Sequence, residues 1–128
     1  MPFVEIFVPE TRAPSERRAL ADAVHRALVE TIEIPPDDRF QALTVHAAPE
    51  LIADPGYLGV ARTVDFVAVR ITLRRGRSPE KKRALYRAIV TKAEQAVGIR
   101  PADVLIVLSE NDSPDWSFGN GVAHYAPE

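Results

Sequence analysis

Pro14-Ser15-Glu16-Arg17-Arg18-Ala19-Leu20 returns as Pro79-Glu80-Lys81-Lys82-Arg83-Ala84-Leu85, and the match continues without a gap in both directions. At the same offset of 65 residues Val4 falls on Val69, Ile6 on Ile71, Arg12 on Arg77, Ala23 on Ala88, Ile34 on Ile99, Pro36 on Pro101 and Asp38 on Asp103. Identities at a single offset mark an internal duplication. The chain therefore reads as two copies of one unit, and an element assigned in one copy is checked in the other.

Each copy opens on an alternation. Val4, Ile6 and Val8 share one face against Phe3, Glu5 and Phe7; Val67, Val69, Ile71 and Leu73 share one face against Phe66, Ala68, Arg70 and Thr72. Period-two patterning predicts strands. Pro14 and Pro79 then stand at helix starts, where a fixed φ suits the first turn and the missing N–H is no loss. Leu20, Val24, Leu28 and Ile32 in one copy, and Leu85, Ile89, Ala93 and Val97 in the other, recur at helical spacing. The helices end before Pro36 and Pro101, the second with Gly98 past its last turn. New extended runs follow at Phe40 to His46 and Val104 to Ser109.

Each unit is thus β-α-β, with parallel strands and a right-handed crossover. Two such units related by a pseudo-two-fold predict an α+β, two-layer α/β sandwich: a four-stranded mixed sheet, both helices on one face and antiparallel contact between units. Unit one covers residues 2–46, a connection 47–64, unit two 65–110 and a C-terminal arm 111–128, all in a single domain 1–128. The arm is expected to form a hairpin or to dock. The helix-free face carries Phe3, Phe7 and Phe66 and must be covered, which calls for an oligomer.

Composition narrows the function. The 128 residues are 46% hydrophobic and 27% charged, with 16 Lys+Arg against 18 Asp+Glu and a formal net charge of -2. A domain of this size buries about two thirds of its unfolded surface and folds without staples. The charge balance speaks against nucleic acid, which demands a basic excess. No apolar run reaches membrane-span length and no secretory signal opens the chain, so no membrane partner and a cytoplasmic location are expected. There is no cysteine, which removes thiol chemistry, and His25, His46 and His124 lack metal-site spacing and read as structural or solvated.

Differences between the copies point to chemistry. Pro2 follows the initiator Met1 and has a small side chain of the kind after which the initiator is removed; its free secondary amine would serve as a base when neutral and as a proton donor and carbonyl polariser when cationic. Arg74, Arg75 and Arg77 follow the third strand, whose end an antiparallel pairing brings beside the chain start. They read either as a solvated basic turn or as carboxylate holders that disfavour a cationic amine. Asp38, after Pro35-Pro36-Asp37, would favour the cation or place a water, although its counterpart Asp103 also allows plain turn chemistry. Trp116, Phe118 and Tyr125 surround Gly119-Asn120-Gly121 in the arm, to wall a pocket or to dock the arm.

Pro2-Phe3, Asp38-Arg39-Phe40-Gln41, Arg75-Gly76-Arg77 with Leu85-Tyr86, and Asp115-Trp116-Ser117-Phe118-Gly119, in this order on a tandem β-α-β chain, resemble the tautomerase superfamily and within it the malonate semialdehyde decarboxylase family. The resemblance implies a homotrimer without metal or other cofactor, acting on a small-molecule oxo acid. By position, Pro2 would be the catalytic amine, Asp38 its carboxylate, and Arg75 and Arg77 the groups that bind the substrate carboxylate. Trp116, Phe118 and Tyr125 would bind substrate as the apolar wall. The arginine loop carries one residue more than the family pattern, so Arg74 and Arg75 both qualify for the inner place. The implied reaction is decarboxylation of a 3-oxo acid such as malonate semialdehyde. A tautomerase or hydratase acting on 2-oxo or unsaturated acids, and a non-catalytic trimeric binding module, are the other readings.

Overall fold

A computed structural model describes residues 1–127. Strand β1 (Phe3–Pro9) leads into helix α1 (Pro14–Thr31) and strand β2 (Gln41–His46); strand β3 (Val67–Arg74), helix α2 (Pro79–Val97) and strand β4 (Val104–Asn111) repeat the pattern. The sheet order is β2-β1-β3-β4. β1 runs parallel to β2 and β3 parallel to β4, while β1 and β3 meet antiparallel. This is the two-layer tandem arrangement that the duplication predicts.

The inward halves of the alternations carry the core. Val4, Ile6 and Val8 of β1 and Val67, Val69, Ile71 and Leu73 of β3 pack with Leu20, Val24 and Leu28 of α1 and Leu85, Ile89 and Ala93 of α2. Each of these central side chains is almost wholly buried, worth about 1.5–3 kcal/mol apiece for the larger ones. The helices start as their prolines require: Ser78 Oγ accepts the Lys81 N–H at 3.2 Å, and Glu16 Oε1 accepts the Ala13 N–H at 3.2 Å. Gly98 ends α2 with φ 70°, a left-handed residue at no steric cost.

Phe66 lies one residue ahead of β3 and is only 5% exposed, lining a cavity with Ala48, Leu51 and Val64 of the connection, so it is covered within the chain itself. Of the two forms expected of the C-terminal segment, a hairpin or a docked arm, the described residues show the arm: a short 3-10 turn (Ser113–Asp115) followed by irregular chain with Gly119 and Gly121 at positive φ. Among the described residues no helix is long and apolar enough to cross a membrane, and no group of His, Cys, Asp or Glu has the disposition to hold a metal ion.

Asp103 is a structural clamp. It is 1% exposed, and its carboxylate accepts both the Thr63 N–H and the Thr63 hydroxyl at 2.7 Å, tying the end of the connection to unit two. Replacing it with alanine removes the acceptor of both Thr63 donors. Urea unfolding of Asp103→Ala is expected to show a loss of about 2–3 kcal/mol, less than two hydrogen bonds to a charged group at about 1.5–3 kcal/mol each, because the exposed Thr63 regains water.

Candidate active site

The antiparallel pairing decides which side chains can meet the chain start. Phe3 lies opposite Thr72, so extending the register places Pro2 opposite Leu73 and Met1 opposite Arg74. Successive strand residues point to opposite faces. Arg74 therefore shares the open face with the chain terminus, and its Nε lies 2.8 Å from Met1 Sδ. The Arg74 guanidinium is also held by Ser113 Oγ at 3.3 Å and stacks over the Tyr125 ring at 4.1 Å.

Arg77 folds back across the loop. Its guanidinium donates to the Arg74 carbonyl at 2.7 Å, the bend being made at Gly76 with φ 123°, where a side chain would be strained. Burial first, and Arg74 next, lower the Arg77 pKa. Arg75 takes a different course: its backbone N–H prolongs the β3–β4 pairing to the Asn111 carbonyl at 2.7 Å, while its side chain, 62% exposed, pairs with Asp112 at 3.2 Å. Arg74 and Arg77 thus converge on the chain start, and Arg75 does not join them.

Asp38 closes the site from the other side. Its turn is fastened by the Asp38 N–H to the Pro35 carbonyl at 3.0 Å, and α1 holds the turn twice. The His25 ring nitrogen Nε2 lies 2.7 Å from the Pro36 carbonyl, and Arg39 reaches Asp22 at 2.6 Å. The hydrogen bond from Arg39 keeps the Asp22 carboxyl below the ordinary carboxylate range. So fixed, Asp38 Oδ2 makes an ion pair with the Met1 terminal amine, both groups largely shielded. Burial, then Arg77, then Arg74 push that amine down to about 5, against the carboxylate contact that favours its charged form.

An aromatic wall completes the surroundings. Phe118 stacks on Trp116 at 5.6 Å and meets Phe40, His124 and Tyr125 at 5.5, 5.7 and 5.1 Å between ring centroids. The Trp116 indole N–H donates to Asn111 Oδ1 at 2.7 Å, and His124 Nδ1 accepts the Phe118 N–H at 3.1 Å. Phe3, Phe40, Trp116 and Phe118 line a cavity of about 260 Å³. Phe40 enters because the Val4 N–H bonds its carbonyl at 3.0 Å, beside the chain start. The sequence reading names Phe40 in the Asp38-Arg39-Phe40-Gln41 motif without giving it a place in the site, and it misses Ser113, which carries no sequence signal.

His25 and His124 are thus structural tethers, and His46 packs against Phe7 at 5.9 Å. Pro2, Asp38, Arg74 and Arg77 meet at one end of the sheet, with Trp116, Phe118 and Tyr125 alongside. A terminal amine flanked by a carboxylate, guanidiniums and an apolar wall can bind a small organic acid and move a proton to or from it. In this structure the amine belongs to Met1, and Pro2 contributes an amide nitrogen.

Two family profiles, each described as "Tautomerase enzyme", match residues 38–119 and 2–59. Among curated proteins, the "Probable tautomerase YusQ" of Bacillus subtilis (strain 168) is 39% identical over 123 residues, covering 96% of this chain and 97% of its own. The crystal structure of the FG41 malonate semialdehyde decarboxylase inhibited by 3-bromopropiolate superposes with a TM-score of 0.92 at 40% identity, covering 96% of this chain and 93% of that one. A second malonate semialdehyde decarboxylase, described for its decarboxylase and hydratase activities, superposes at 0.90 with 32% identity, covering 96% and 95%. With the fold, the full-length coverage and the site in agreement, this chain belongs to the tautomerase superfamily of enzymes, in structural likeness to its malonate semialdehyde decarboxylase family.

Proposed function

We propose that this protein decarboxylates a 3-oxo acid such as malonate semialdehyde without a cofactor, once Met1 has been removed and Pro2 bears the free amine. The supporting observation is the convergence of the chain-terminal amine with Asp38, Arg74 and Arg77. Arg74 and Arg77 hold the substrate carboxylate, Asp38 steadies the ammonium form of Pro2, and that ammonium donates to the aldehyde oxygen. The bond from the carboxylate carbon breaks and CO2 leaves. Its electron pair passes into the carbonyl, whose oxygen takes the ammonium proton; the enol then takes a proton from water at carbon while its hydroxyl proton returns to the amine, giving the aldehyde and restoring the ammonium. The open sheet face, with Phe3, Leu105 and Val107 exposed, supports assembly as a homotrimer.

The two guanidiniums that bind the substrate also push the amine down, and this coupling has a sign. A bound carboxylate offsets their charge, so the amine gains basicity when substrate binds. Since kcat/KM reports the free enzyme and kcat the complex, the limb that marks loss of the cationic amine is expected at higher pH in kcat than in kcat/KM. Coincident limbs would remove Arg74 and Arg77 from control of the amine.

A second reading has its own support. Burial, Arg77 and Arg74 lower the basicity of an amine at the chain start, which favours the neutral form that takes a proton from carbon, and a curated relative is named a probable tautomerase. The deciding experiment begins with an intact mass to establish which residue is terminal. CO2 release from malonate semialdehyde is then compared with enol-keto conversion of phenylpyruvate and hydration of an acetylenic 2-oxo acid. Dominant CO2 release supports the decarboxylase; dominant enol-keto conversion or hydration replaces it with the second reading. Inertness on all three by a chain starting at Pro2 would leave the non-catalytic binding module.

A further inference from the structure

Beyond the amine, the β3–α2 loop and the turn after β4 enclose a cavity of about 500 Å³ whose lining includes Arg74, Arg75, Arg77, Lys81 and a single carboxylate, Asp112. The cavity adjoins the site already described, since Arg74 lines it and also touches Met1. Arg74 and Arg77 form its inner end. Arg75 forms the outer part with Lys81, which lies in the first turn of α2.

Four cations face one anion there, and the pairings leave the excess in place. Asp112 meets Arg75 at 3.2 Å with both side chains more than half exposed, and Lys81 meets Glu33 at 3.5 Å, again at the surface. Exposed pairs of this kind are worth about 0–1 kcal/mol and yield readily to a better partner. A three-carbon oxo acid held by Arg74 and Arg77 leaves most of the cavity unfilled and the outer charges unanswered.

We infer that Arg75 and Lys81 form an outer anion subsite, which fits this enzyme to small oxo acids carrying a second carboxylate. The inference rests on the reading of Arg74 and Arg77 as holders of the first carboxylate. Guanidinium and ammonium groups bind such an anion through charge-assisted hydrogen bonds, and Asp112 acts as the competitor that the second carboxylate displaces from Arg75.

Unreactive acids of equal length test this by calorimetry on the full chain, independently of turnover. Glutarate is expected to bind at least about tenfold more tightly than pentanoate, the range of one or more charge-assisted bonds. Lys81→Ala is expected to cut that ratio to under about threefold and Lys81→Arg to restore it, while Asp112→Asn raises it by freeing Arg75. Equal affinities for the two acids, or a ratio indifferent to Lys81→Ala and Asp112→Asn, would overturn the subsite. Inorganic phosphate binding alongside bound glutarate would likewise overturn it, showing an independent anion site. Failure of the decarboxylase reading appears separately, as absent CO2 release with the glutarate preference intact.

Discussion

Protein that retains Met1, or any residue ahead of Pro2, is expected to release CO2 from malonate semialdehyde at least about 10²-fold more slowly than protein that begins at Pro2, the scale on which positioned proton donors act. The cause is covalent. With a residue ahead of it the Pro2 nitrogen is an amide, without a basic lone pair or a proton to give. The Met1 amine then takes the position beside Asp38 with its side chain against Arg74, where substrate should lie. Pro2→Ala separates the parts of this effect, since it restores a terminal amine but a primary one. Its turnover is expected to fall between the two, and intact mass must accompany each rate. Equal rates for the Met1 and Pro2 forms would dismiss the amine from the chemistry.

Arg74→Ala is expected to lower kcat/KM by about 10–10²-fold, since charge-assisted hydrogen bonds to the substrate carboxylate are worth about 1.5–3 kcal/mol. Arg75→Ala is expected to cost far less on the same monocarboxylate. The reasoning is the register: Arg74 falls opposite the chain terminus and faces it, whereas Arg75 turns to Asp112. Arg74→Lys keeps the charge without the paired donors and should recover only part of the loss. Side-by-side kinetics with malonate semialdehyde decide the matter, and a larger loss for Arg75→Ala would return Arg75 to the inner place. Because Arg74 is also braced by Tyr125 and Ser113, the urea midpoint of each variant should be recorded, so that lost folding is not read as lost catalysis.

The fold was legible because duplication, strand alternation and helical spacing all express burial, and burial is what the core enforces. The site was legible by composition but not in detail. Asp38 and Asp103 occupy equivalent positions, yet one meets the terminal amine and the other a threonine. Residue type alone could not separate them. Arg74 and Arg75 are identical neighbours, and only the pairing partner across β1 distinguishes their directions. Phe66 matched the alternation but fell one residue outside the strand, where the connection covers it. The arm's aromatic contacts depend on bends at Gly119 and Gly121 that no periodicity encodes.

The pair of equivalent aspartates carries a topological consequence. Each receives the chain as it enters the first strand of its unit, and in the second unit the peptide simply continues, so Asp103 is satisfied by Thr63. A linear polypeptide has one beginning, and a gene that doubled its carboxylate could not double its amine. On the proposed chemistry, the two units differ by chain connectivity, which leaves one terminal amine, as well as by side chains, Arg74 and Arg75 falling on Pro9 and Glu10 of the first unit. A circular permutant that begins at Val67, the counterpart of Pro2, would move the terminal amine to the second unit, whose equivalent carboxylate is Asp103.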